Sequence, residues 1–216
     1  TGRAADFFAA HGLTDPASLA KLRARDRYYP NMVPALPHSF VRLLDGHDVR
    51  IGGRDWRCIA GYGHAPEHIA LYSETLQVLI SGDMVLPRIS TNVSVYDAEP
   101  EADSLKLFLS SLRRYDALPA STLTLPSHGK PFTGLHARLG QLHDHHRDRL
   151  DEVLQAARAQ PVCAYDVLPV LFKRPLDLHQ TTFAMGEAIA HLNHLWHRGV
   201  LTREQDQAGV WRFTRG

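Results

Sequence analysis

At 216 residues the chain has room for one large domain or two unequal ones, and 44% hydrophobic with 22% charged residues is an ordinary globular balance. With 24 basic against 23 acidic side chains the formal net charge is +1, which excludes a general electrostatic attraction to nucleic acid, though not a local patch. No stretch approaches the roughly 20 apolar residues of a membrane-spanning helix, and TGRAADFFAAHG lacks the basic start and apolar core of a signal peptide, so a cytoplasmic protein is expected.

In chain order, residues 2–11 and 16–28 are predicted as short helices, with Asp15-Pro16 as cap and first turn of the second. YYPNMVPALPHS is too rich in proline for a helix and reads as an extended crossing segment. DVRI and RDWRCIA flank Gly52-Gly53, a strong hairpin signal, and IALY and QVLIS are short apolar runs joined by Ser73-Glu74-Thr75. Leu105, Phe108, Leu109 and Leu112 give residues 101–114 a helical period, and TLTL at 122–125 reads as a buried strand. From about 134 to 159 a long helix places Leu135, Leu139, Leu142, His146, Leu150, Val153 and Ala157 on one stripe. Gln160-Pro161 marks a boundary. Beyond it come helices near 164–172 and 178–198, then VLTRE and VWRFT around a turn, the order of a winged-helix type module.

Cys58 and Cys163 lie far apart, which reads as two packed thiols in a reducing compartment. Fourteen histidines are many for this length, so their positions matter. Three predicted strands end in loops that join glycine to a ligand-type residue: Gly63-His64 with His68 after it, Ser81-Gly82-Asp83, and Pro126-Ser127-His128-Gly129. Strand ends aim side chains at a common point, and glycine lets backbone approach closely. Two imidazoles and a carboxylate suit zinc, iron or manganese, and the two oxygens of Asp83 suit it to bridge a metal pair. His143, His145 and His146 are adjacent on a helix and point apart, with His146 the one expected inside. His191, His194 and His197 share a face without a matching carboxylate, which favours a recognition-helix or subunit contact over a metal site.

The order GHxxxH, SGD, PSHG over nearly the whole chain resembles the C-terminal half of the metallo-β-lactamase superfamily, in particular its glyoxalase II-like hydrolases. The resemblance implies an α+β fold: half of a four-layer αβ/βα sandwich over residues 1–160, followed by a winged-helix-like domain over 161–216. It implies His64, Asp83 and His128 as ligands of two divalent ions, zinc first with iron or manganese as alternatives, and Asp83 as the bridging, catalytic carboxylate. His68 matches a second histidine kept near such sites, while Arg88 and Tyr62 are candidate substrate-facing residues. The family's HxHxDH motif has no counterpart here, His11, His38 and His47 being isolated. The full site is therefore expected to need residues outside this chain, from the N-terminal half of the same protein or a second chain, and the chain alone is expected to be inactive. The expected function is hydrolysis of an ester, thioester, lactone or phosphodiester in a small-molecule substrate by a metal-activated water, with a homodimer as a further option. The alternative is a nucleic-acid-binding winged-helix protein with an incomplete hydrolase domain. That alternative requires a basic face around 178–198 and scattered His64 and His128.

Overall fold

Gly52 and Gly53 both take positive φ, +59° and +76°, and turn the chain between strands β1 (Asp48–Ile51) and β2 (Arg54–Gly61). Paired left-handed residues make the two-residue turn whose twist matches the flanking strands. The computed structural model describes residues 3–24 and 31–216. Its described residues form two compact units: Arg42–Val93 with Ser104–Asp148, and residues 3–24 and 31–41 with Ser94–Asp103 and Arg149–Gly216.

The first unit holds a five-stranded sheet in the order β1-β2-β3-β4-β5, with β3 His68–Ser73, β4 Val78–Gly82 and β5 Leu123–Pro126. All neighbours are antiparallel except β4 and β5, which run parallel. A parallel pair needs a crossover, which helix α3 (Ser104–Leu112) and a short 3₁₀ turn, Arg113–Tyr115, provide. Pairing places Ile59, Ala70, Tyr72, Leu79 and Thr124 on one face, and all are buried. The opposite face carries Ile69, Leu71, Val78, Ile80, Leu123 and Leu125, apolar yet half-buried or exposed. Helix α4 (Leu135–Ala159) buries the predicted stripe complete, including His146, which meets the Phe108 ring edge-on at 5.6 Å.

The second unit contains α1 (Arg3–Ala9), α2 (Pro16–Arg23), α5 (Ala164–Leu171), α6 (Leu178–His197) and the hairpin β6 (Leu201–Gln205) and β7 (Trp211–Arg215). Asp15 caps α2 by accepting from the Ser18 amide at 2.8 Å, as its sequence predicts. The expected end of that helix near residue 28 and the start of the proline-rich segment lie outside the described residues. Helix α6 opens with a reciprocal capping box between Asp177 and Gln180 and buries Met185, Ala188, Ile189, Leu192 and Leu195. Helix, helix and hairpin follow one another as expected.

The histidine stripe of α6 is spent on its own chain, contrary to the expected recognition-helix or subunit contact. His191 Nδ1 donates to the Glu187 carbonyl at 2.8 Å, His194 Nδ1 to the Asp103 carboxylate at 2.9 Å, and His197 Nε2 to the Glu101 carbonyl at 2.6 Å. The segment 94–103 has no regular structure of its own, so its polar groups must find side-chain partners. Sequence spacing along one helix cannot show that. No described helix is long and apolar enough to cross a membrane.

Candidate metal centre

Sheet topology brings the expected residues to one edge. β2 and β4 run alike and β3 against them, so the ends of β2 and β4 lie beside the start of β3. β5 is parallel to β4 and ends level with it, Gly82 opposite Pro126. His64, Asp83 and His128 therefore leave the sheet at the carboxyl ends of β2, β4 and β5, beside His68 at the amino end of β3, the edge where open sheets place their ligands.

Asp83 is the hub. Its Oδ2 lies 3.6 Å from His64 Nε2, and its Oδ1 lies 3.4 Å from His128 Nε2. Both separations exceed a normal N–H···O bond of about 2.7–3.2 Å. They fall near the ligand-to-ligand edge of about 3.3–3.6 Å that a tetrahedral shell with metal bonds of about 2.0–2.2 Å would have. Each oxygen faces a different imidazole, the arrangement of a carboxylate shared between two positions. Among the described residues, no group of three or more His, Cys, Asp or Glu side chains is placed to hold a metal ion.

The surroundings fix tautomers. His64 Nδ1 lies 2.8 Å from the Asn92 carbonyl, which can only accept, so Nδ1 carries a proton and Nε2 is the nitrogen turned toward Asp83. His68 is committed differently, because its Nε2 accepts the Asp83 backbone N–H at 3.3 Å. Burial first, and the neighbouring His64 second, hold His68 below the ordinary imidazole pKa, in keeping with a neutral, accepting ring. Gly82 is required for that contact, since a Cβ there would meet His68 Nε2 at 2.2 Å with φ already at +54°.

His128 is the open member, its side chain 69% exposed against 28% for His64 and 30% for Asp83. Tyr62 is half-buried, its amide donating to Ser111 Oγ at 2.9 Å. Arg88 is exposed. Sequence reasoning passed over Thr91, whose hydroxyl donates to the Asp83 carbonyl, as well as Asn92 and Arg138. Side chains that bond to carbonyls of an irregular loop leave no period to detect. A separate cleft of about 550 Å³ in the second unit, lined by residues including Tyr165, Phe172 and Arg174, contains none of these residues.

Residues 5–159 match the family profile described as the metallo-beta-lactamase superfamily, and residues 150–216 match the metallo-beta-lactamase-like C-terminal domain. The chain is similar to a beta-lactamase domain protein from Burkholderia ambifaria of known crystal structure, at 56% identity and TM-score 0.95, covering 100% of this chain and 62% of that one. It is also similar to the metallo-beta-lactamase family protein TTHA1429 from Thermus thermophilus, at 29% identity and TM-score 0.79, covering 99% and 64%. A probable metallo-hydrolase, YqjP from Bacillus subtilis (strain 168), is 29% identical over 164 residues, 74% of this chain and 49% of that protein. The chain thus spans about half to under two thirds of the length of these relatives.

Proposed function

The chain belongs to the metallo-β-lactamase superfamily, whose members generally bind divalent metals, often zinc, and on that premise we propose that it carries part of a two-metal hydrolase centre. The observation that carries the reading is the Asp83 carboxylate, one oxygen toward each of two imidazoles at shell-edge distances. Asp83 bridges, His64 serves one ion and His128 the other, with zinc first and iron or manganese as alternatives. Bound there, such ions supply a water of lowered pKa and polarise the oxygen that gains charge, which suits an ester, thioester, lactone or phosphodiester. The chain's own part is orientation: the Asn92 carbonyl sets the His64 tautomer, and His68 and Thr91 hold the Asp83 backbone from both sides. Arg88 orients an anionic group of a small-molecule substrate, and Tyr62 lines its approach.

Two imidazoles and one carboxylate do not fill two shells. The remaining ligands come from an N-terminal half of the same protein or from a second chain, which also covers the apolar outer face of the sheet. By motif order the hydrolase is glyoxalase II-like, and helix, helix, hairpin after residue 160 is a winged-helix-like appendage. Its arginines argue for that role over a nucleic-acid surface: Arg203 lies over Trp196 at 3.6 Å and pairs with Glu101, and Arg212 pairs with Asp166 and Asp206. Free thiols at Cys58 and Cys163 fit the cytoplasm.

Metal analysis of the full-length protein tests the centre. The expected result is about two ions per site, both released by Asp83→Asn and one by His128→Ala. Native metal content in Asp83→Asn would overturn the reading.

A further inference from the structure

The loop 83–92 has no regular secondary structure, yet it touches every residue of the proposed centre. It begins with Asp83 itself. At its middle, Pro87 lies where a Cβ on Gly129 would meet Pro87 Cγ at 2.7 Å, so it buttresses the backbone next to His128. It closes at Asn92, whose carbonyl receives His64 Nδ1. A loop without a ladder must have its carbonyls satisfied by side chains. Thr91 serves the Asp83 carbonyl, and Ser81 Oγ serves Val85 at 2.9 Å. The two carbonyls that flank the tip, Leu86 and Ile89, both go to one residue. Arg138 Nε donates to Leu86 at 2.6 Å and Nη2 to Ile89 at 2.8 Å, while Nη1 reaches Gln141 Oε1 at 3.1 Å.

We propose that Arg138 is a positioning residue for the metal centre, a planar clamp from the first turn of α4 that fixes the loop shared by Asp83, His128 and His64. This inference rests on the metal-centre reading above. The guanidinium suits the task because its donors are fixed in one plane and can hold two carbonyls at once, which a lysine ammonium on a flexible stem cannot do at the same spacing. Arg138 also holds the Pro87-Arg88 tip between its two bonds, so Arg88 is presented from a fixed base. Supports of this kind act through the ligands they orient, and their loss commonly costs about 10–100-fold in metal affinity.

The test is zinc affinity of the full-length protein, by competition with a chromophoric chelator, for native, Arg138→Met, Arg138→Lys and Asp83→Asn. Arg138→Met is expected to bind about 10–100-fold more weakly, with Arg138→Lys between it and native. The metal-free protein is followed alongside by amide exchange, expected to quicken in residues 84–92 and not in the β1–β2 hairpin. Zinc affinity of Arg138→Met within about twofold of native, with Asp83→Asn weakened more than about tenfold, would overturn the clamp and leave the centre standing. Native affinity in Asp83→Asn would overturn the centre, and the clamp with it. Should Arg138→Met fail to fold, Arg138→Lys decides by exchange alone: faster exchange at 84–92 supports the clamp, and unchanged exchange there refutes it.

Discussion

His11 shows how one buried polar side chain ties stability to pH. It is 2% exposed and meets the Phe7 ring edge-on at 4.8 Å, and its Nδ1 finds no hydrogen-bond partner among the described residues. Burial first, and the charge of Arg203 second, lower its pKa from 6.5 to about 4. The folded state therefore binds fewer protons than the unfolded one between those values, and stability rises with pH across that window. The contribution is complete above the unfolded value and is lost as pH falls toward the folded one, about 3 kcal/mol at most. Urea unfolding of native protein and His11→Phe across that range should show the native curve falling more steeply on the acid side. Parallel curves would remove His11 from the account. At the same scale, the candidate ligands stand out in the sequence because each sits beside a glycine at a strand end, and the structure places His64 and His128 beside the Asp83 carboxylate. What surrounds them was not legible. Arg138 lies 55 positions after Asp83, and nothing in its helical spacing announces a bond to the Leu86 carbonyl.

Helix α6 binds the segment that precedes α3 through a row of polar side chains. Asn193 is fully buried and donates from Nδ2 to the Pro100 and Ala102 carbonyls at 3.1 and 3.2 Å. Asn193→Ala leaves both carbonyls without that donor and should cost about 2–3 kcal/mol. Asn193→Asp keeps the shape but turns an acceptor toward them, and should cost at least as much. Thermal melting that leaves either variant at the native Tm would show the staple to be idle. Elements with a clear period were legible: the α4 stripe, the Gly52-Gly53 hairpin and the Asp15 cap all stand where spacing puts them. The role of the α6 histidines was not, because their partners at 101 and 103 lie about ninety residues earlier, and a helical face looks the same from sequence whether it meets its own chain or another.

On the scale of the whole molecule, strands β3 to β5 are apolar on both faces, and the outer face is buried beside β2 at Cys58 and Ala60 but open along β4 and β5. Ile80 and Leu123 lie opposite partners on adjacent strands of the outer face and stay 38% and 37% exposed, with Ile69, Leu71, Val78 and Leu125 around them. Sheets that read as apolar on both faces are normally covered on both, and contiguous exposed patches of this kind mark contact surfaces. The relatives are longer than this chain. The proposed missing half thus has two tasks, to complete the ligand shells and to cover this face, and the second can be measured without any metal. An apolar-surface dye such as anilinonaphthalene sulfonate should fluoresce strongly with the 216-residue chain and weakly with the full-length protein. The paired change Ile80→Glu and Leu123→Glu alters side chains already in contact with water, so it should leave the sheet folded and cut the chain's dye signal by about half or more. Equal fluorescence from the chain and the full-length protein would mean that nothing in the latter covers the face, and the partner half would have to be sought at another surface.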